Sequence, residues 1–161
     1  MNETVAKGQG EAWLKESDWT ESVFAGGWEP TGQQMQVFEP ATGEVLTRIG
    51  TVAGEEVGRF CEVARKAQKA WAKLHFEDRA RILRKAAELG ERHFVELTGW
   101  IMRESGSARA KAEFELSITI LSLREASAMP SQAQGLVLPS TSDRISMCRR
   151  MPLGVIGVIA P

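Results

Sequence analysis

The spacing of apolar positions divides the chain into a β-type opening, a helical middle and an extended end. Met35-x-Val37-Phe38 and Val45-Leu46-x-Arg48-Ile49 are β-type runs on either side of Glu39 to Glu44, where Pro40 and Gly43 supply turn geometry, so a β-hairpin is predicted. From Glu55 the period becomes helical. Val57, Phe60, Cys61, Ala64, Ala67, Gln68, Trp71 and Leu74 draw one apolar stripe along about five turns. Gly54 reads as its N-cap, and Glu55 and Glu56 suit the positive end of the helix dipole. A second helix, Asp78 to Arg92, sets Ile82, Leu83, Ala86 and Leu89 inward and keeps Arg81, Arg84, Lys85, Glu88 and Glu91 outside. A third runs from Phe94 to Glu104 with Phe94, Leu97 and Ile101 on one side, stopped by Gly106 in the left-handed conformation. Ser107 then caps a fourth, Ala108 to Met129, with Ala112, Leu116, Ile120 and Leu123 inward and an end near Pro130.

Beyond the helices, Gly135 to Pro139 reads as an extended connection and Arg144 to Arg150 as a half-exposed strand. A tight Pro152-Leu153-Gly154 corner leads into Val155-Ile156-Gly157-Val158-Ile159. Four β-formers without alternation predict a strand buried on both faces, and Gly157 within it predicts a close backbone or ligand approach. With nothing after it to cover either face, the chain reads as cut short. Leaving those four side chains uncovered forfeits on the order of 6–12 kcal/mol as an upper bound, so the 161 residues are expected to be marginal by themselves. The expected fold class is α/β, its main parallel sheet lying past the last residue. Four regions follow: a loosely packed polar leader over 1–27, with one helical turn around Glu11 to Lys15; the hairpin and helices over 28–134; a bridging strand segment over 135–154; and the start of the buried strand over 155–161.

Composition narrows the function by exclusion. Hydrophobic residues make up 43% and charged residues 25%, ordinary for a soluble domain. The 20 basic and 21 acidic residues leave a net charge of −1, so no nucleic-acid partner is expected. The five tryptophans are not interleaved with a basic patch. No apolar stretch is long enough for a membrane span, and Met1 to Gly10 lacks the pattern of a secretory signal. Two separated cysteines fit a reducing cytoplasm.

The residues with chemical potential read mostly as structural. Cys61 lies on the apolar stripe of the first helix and is expected to pack there. Cys148 sits among Arg144, Arg149 and Arg150, which favour a thiolate, yet a structural role is the simpler expectation. His75 falls at a helix–helix connection, and His93 extends the row of Ile82, Ala86 and Leu89 as a packed or interface residue. No ligand spacing predicts a metal site. Gly154-x-x-Gly157 is not a dinucleotide fingerprint, and Glu88-x-x-Glu91 and Glu113-x-Glu115 read as solvated helix faces.

One set of residues goes further. Arg150-x-Pro152-x-Gly154-Val155-x-Gly157-Val158-Ile159-x-Pro161 resembles the segment of NAD(P)-dependent aldehyde dehydrogenases that leads into their first nucleotide-binding strand. Pro40 to Leu46, Ala67-x-x-Ala70-Trp71 and Arg79-x-x-Ile82-Leu83-Arg84-Lys85-Ala86-Ala87 resemble the same family, so that the likeness runs from Trp28 to Pro161. After the third helix the family's customary lysine is missing from Glu104-Ser105-Gly106-Ser107. Trp100-x-x-Arg103-Glu104-x-Gly106 and Arg144-x-x-x-Cys148-x-Arg150-x-Pro152 are most like the benzaldehyde (aromatic aldehyde) dehydrogenase branch.

The resemblance implies a Rossmann-like parallel sheet entered at the end of the chain, NAD or NADP as cofactor, an aldehyde substrate and a homodimer or homotetramer, the strand near Cys148 taking part in subunit contacts. It implies a cysteine thiolate that attacks the aldehyde, hydride transfer to nicotinamide and a glutamate-activated water that releases the acid. The family's cysteine, glutamate and oxyanion-hole asparagine all fall past Pro161, so no catalytic residue is assigned and the 161 residues alone are expected to be inactive. Ile159, Ala160 and Pro161 match positions that line the cofactor cleft. Two other readings stay open: a free-standing helical interaction module, or an inactive truncation derived from such an enzyme.

Overall fold

In the computed structural model of the chain, residues 12–159 are described. The elements run β1 (Ser22–Phe24), β2 (Trp28–Pro30), β3 (Gln33–Phe38), β4 (Val45–Thr51), α1 (Gly54–Lys73), α2 (Phe76–Arg92), α3 (Phe94–Ser105), α4 (Arg109–Ala128), β5 (Gly135–Leu138) and β6 (Ser146–Arg149). Single 3-10 turns lie at Glu16–Asp18 and Met129–Ser131. The strands form three two-stranded antiparallel sheets, β1–β2, β3–β4 and β5–β6, and no parallel pair occurs among the described residues.

The predicted hairpin is present. β3 and β4 pair from Gln33↔Thr51 to Phe38↔Val45, with a register shift at Val37/Phe38. Gly43 closes the turn at φ +75° while its N–H donates to the Glu39 carbonyl at 2.8 Å. The hairpin tip reaches the end of α3. Arg103 donates to the Glu39 carboxylate at 3.4 Å, and a Cβ on Gly106 would lie 3.1 Å from Pro40. Gly106 ends α3 at φ +67°, the left-handed stop that the sequence predicts.

The core lies between α2 and α4. Ala87 is fully buried against Leu116 and Ile120, and Phe94, Leu97, Ile101 and Leu123 close around them. Gly90 is part of the same contact, because a Cβ there would sit 3.0 Å from Ile120 Cγ1. The predicted inward residues of α3 and α4 thus pack here, and Thr98 of α3 and Ser127 of α4 are buried as well. On α2 the face turns: Ala80, Ala87 and Gly90 are the buried positions, Leu83, Ala86 and Leu89 flank them, and Ile82 is exposed. Small residues win the centre of this helix because they let α4 approach closely, whereas a count of bulky residues points about one position away. Arg124 of α4 clamps Glu91 of α2 with bonds of 2.6 and 2.7 Å to its two oxygens. The hydrogen bond to Glu91, then its charge, raises the guanidinium above its ordinary pKa.

α3 starts at Phe94 as predicted, and the other three helix starts shift by one or two residues. The N-cap of α1 is Ala53, with Gly54 already helical, and the Glu56 carboxylate accepts the Ala53 N–H at 3.1 Å. His75 caps α2, its Nδ1 accepting from the Glu77 N–H at 3.3 Å. Ser107 does not cap α4. Ala108 holds that position without a side-chain bond, while the Ser107 hydroxyl pairs with Ser105 at 2.7 Å and accepts from Lys111.

The leader is tied down more firmly than its polarity predicts. Its helical turn falls at Glu16–Asp18, and the part of the predicted turn before residue 12 lies outside the described residues. The Glu96 carboxylate accepts the Trp13 and Leu14 N–H groups at 3.2 and 2.9 Å. Trp13 stacks on His93 at 4.2 Å, so His93 is a packed histidine, and Trp19 meets Trp100 edge-on at 5.4 Å. β1 then joins β4 through the Glu21 N–H and the Arg48 carbonyl at 3.1 Å.

The terminal run departs most from expectation. Val155, Ile156, Val158 and Ile159 form no strand, and their exposures are 41%, 67%, 80% and 100%. A strand needs a neighbour for its N–H and C=O groups, and no strand pairs with this run among the described residues. Nor does a Cβ built on Gly157 meet an atom within 4 Å, so the predicted close approach is not seen there. α1 is likewise half-covered, with no buried residue and with Val57, Trp71 and Leu74 exposed.

Two outcomes are expected from these contacts. In urea unfolding, Leu116→Ala should cost about 2–5 kcal/mol and Gly106→Ala about 1–2 kcal/mol, while Ile82→Ala should cost far less than Leu116→Ala. Glu96→Ala should raise amide hydrogen exchange at Trp13 and Leu14 by about tenfold or more and leave α4 protected; unchanged exchange there would show that the carboxylate does not hold the leader.

Candidate functional site

The corner at Pro152 to Gly154 brings the start of the terminal run beside the open face of α1. Gly154 turns at φ +92°, a conformation that favours glycine. Gly154 and Val155 then line a groove of about 510 Å³ with Ala64, Ala67, Trp71 and Leu74. The alanines of the helical stripe leave room for this approach, and Trp71 and Leu74 supply its apolar wall. Gln68 contributes the groove's polar side chain. The groove can hold apolar surface but offers no nucleophile or base.

Of the residues that the sequence assigns to the cofactor, Ile159 is fully exposed at the end of this run, and Ala160 and Pro161 lie outside the described residues. Ile159 does not line the groove; Val155 does. The described run presents apolar side chains and unpaired backbone. It has no acidic group for a ribose and no glycine-rich turn leading into a helix for a pyrophosphate. These residues therefore do not make a dinucleotide site among themselves.

The reactive side chains are dispersed. Cys61 is half-buried on α1, and Cys148 is exposed on β6 opposite Leu136. His75 is used as a helix cap and lies against Phe76 at 4.3 Å. No group of three metal-ligating side chains occurs among the described residues. Asp143, in the β5–β6 connection, is held below the ordinary carboxylate range, chiefly by the Thr141 hydroxyl donating at 2.6 Å. That contribution exists above the unfolded pKa and is lost as pH falls through the lowered folded value, so acid loosens this connection.

β5 and β6 pair from Gly135↔Arg149 to Leu138↔Ser146, making a hairpin of the predicted connection and strand. Its apolar side chains face outward: Leu136, Val137, Ile145 and Met147 are 68–79% exposed. Periodicity alone does not reveal this pairing, because the alternation of Arg144 to Arg150 says nothing of which partner it has.

This arrangement of small antiparallel sheets and four helices matches the opening part of a larger enzyme fold. The crystal structure of an NAD-dependent benzaldehyde dehydrogenase from Corynebacterium glutamicum superposes with a TM-score of 0.71 at 28% identity, covering 81% of this chain and 28% of that one. Among curated proteins, a vanillin dehydrogenase from Amycolatopsis sp. is 45% identical over 151 residues, 93% of this chain and 31% of that enzyme. A benzaldehyde dehydrogenase [NAD(+)] from Pseudomonas putida is 39% identical over 145 residues, 89% of this chain and 30% of that enzyme. These matches define a portion of an oxidoreductase fold. The sequence pattern of the aldehyde dehydrogenase family covers residues 28–161, and the chain belongs to that family. It spans about 30% of the length of these curated relatives, and no helix among the described residues is long and apolar enough to cross a membrane.

Proposed function

We propose that these residues are the N-terminal portion of an NAD(P)-dependent aldehyde dehydrogenase that oxidises aromatic aldehydes, such as vanillin or benzaldehyde, to carboxylic acids. The identity to relatives named for these two substrates carries the reading, since it runs over 151 and 145 residues of this chain. Within it, Val155 to Ile159 is an incipient strand of a Rossmann-like parallel sheet. Its unpaired backbone and exposed side chains suit a position between neighbouring strands. Ile159, Ala160 and Pro161 then border the cofactor, Ile159 being free of other contacts that would hold it away. The exposed apolar side chains of β5–β6, Val137 and Met147 opposite each other among them, support a subunit contact, hence a homodimer or homotetramer.

The test is nicotinamide reduction by protein made from the complete reading frame. Vanillin and benzaldehyde should give a higher kcat/KM than acetaldehyde, and the 161 residues alone should give no turnover. A clear preference for acetaldehyde would sink the aromatic assignment. Val137→Asp should shift that protein to a smaller species in size-exclusion chromatography. An unchanged elution volume would remove β5–β6 from the subunit contact.

A further inference from the structure

A second cavity, of about 500 Å³, lies between the end of α1, the start of α2, the 3-10 turn after α4 and residues 149–152. Its size is that of an ordinary small-molecule site. Arg79, Arg149 and Arg150 line it, and no carboxylate does. The Nε of Arg79 is shut off from solvent and has no hydrogen-bond partner. An atom that water does not touch is out of a ligand's reach as well, so the donors that Arg79 can offer the cavity are its terminal Nη groups. The nearest acids along α2 do not serve it. Asp78 is paired with Arg81 at 2.7 Å, and Glu77 with Arg84 at 3.0 Å. Arg149 and Arg150 likewise have no ion pair among the described residues, while the Arg150 N–H bonds the Gln134 carbonyl at 2.7 Å and fixes the rim. Trp71, Leu83 and Met129 supply apolar wall.

We propose that this cavity binds a small organic carboxylate. A guanidinium presents paired donors that fit the two oxygens of one carboxylate, and further arginines at the rim add attraction. Inorganic phosphate would satisfy the charge but leave Trp71, Leu83 and Met129 bare, so the ligand carries an apolar body, aromatic or aliphatic, against that wall. The cavity shares only Trp71 with the α1 groove beside Val155, and the proposal does not rest on the dehydrogenase reading, since its readout is binding and not turnover.

Calorimetric titration of the full chain with benzoate, benzamide and inorganic phosphate tests it. Benzoate should bind saturably and about tenfold or more tighter than uncharged benzamide and than phosphate. Arg79→Gln should weaken benzoate by about tenfold or more. Because Arg79 is half-buried, the double variant Arg149→Gln/Arg150→Gln, at exposed positions, gives a second test and should also weaken benzoate. Absence of saturable benzoate binding, equal binding of benzamide or phosphate, or full affinity in the double variant would each overturn the proposal.

Discussion

The close approach of α2 to α4 is the contact on which the rest of the described structure depends. Gly90 and Ala87 carry almost no side chain, so Ile120 and Leu116 of α4 reach the α2 backbone. α2 is clearly amphipathic, but α4 has no single apolar stripe that would force this pairing from the sequence. α4 carries Phe114, Ile118 and Leu121 on a face that stays exposed, as well as the face it buries. What selects one face over the other is fit, because only the Ala112–Leu116–Ile120 row meets a partner cut to receive it. The Glu91–Arg124 pair then fixes the sliding register of the two helices; being exposed, it adds orientation more than stability.

From that contact the remaining elements are hung in sequence. α3 lies along α4 through Phe94, Leu97 and Ile101, and its two ends each hold a different part of the N-terminal third. At its start, Glu96 and His93 take Trp13 and Leu14. Near its end, Arg103 and Gly106 take the β3–β4 tip at Glu39 and Pro40. A short helix thus positions residues more than eighty places apart in the chain, with few of them deeply buried.

These contacts explain what could be read in advance. Helix ends were legible where one residue type suffices, as with Gly106, whose left-handed φ follows from its lack of a Cβ. The α4 stripe was legible because Ala112, Leu116, Ile120 and Leu123 recur at helical spacing, even though Phe114, Ile118 and Leu121 on the other face stay exposed. On α2 the same rule misplaced Ile82, since periodicity counts hydrophobic mass and a tight helix crossing selects for its absence. The leader was illegible for another reason. Trp13 and Trp19 look scattered along the sequence, and their partners His93, Glu96 and Trp100 are long-range. Arg79 gave no signal as a buried, unpartnered donor, because it sits in an ordinary charged helical pattern with acids on its own helix. The family likeness of the terminal run is matched by the family pattern over residues 28–161, but a motif does not carry its neighbours, and the run is left uncovered without them.

The candidate site illustrates that last point in energetic terms. Burying an aliphatic side chain contributes roughly 1.5–3 kcal/mol, yet Ile156, Val158 and Ile159 leave most of their surface in water. Val155 is the least exposed of the four, and it is the one of them that lines the groove with the alanines of α1. The corner at Gly154 therefore sets the direction of the run and α1 sets its starting point, while nothing among the described residues sets its far end. The run is thus anchored at one end and open along its length, and the apolar surface it leaves in water is the part of the described structure that the helical core does not satisfy.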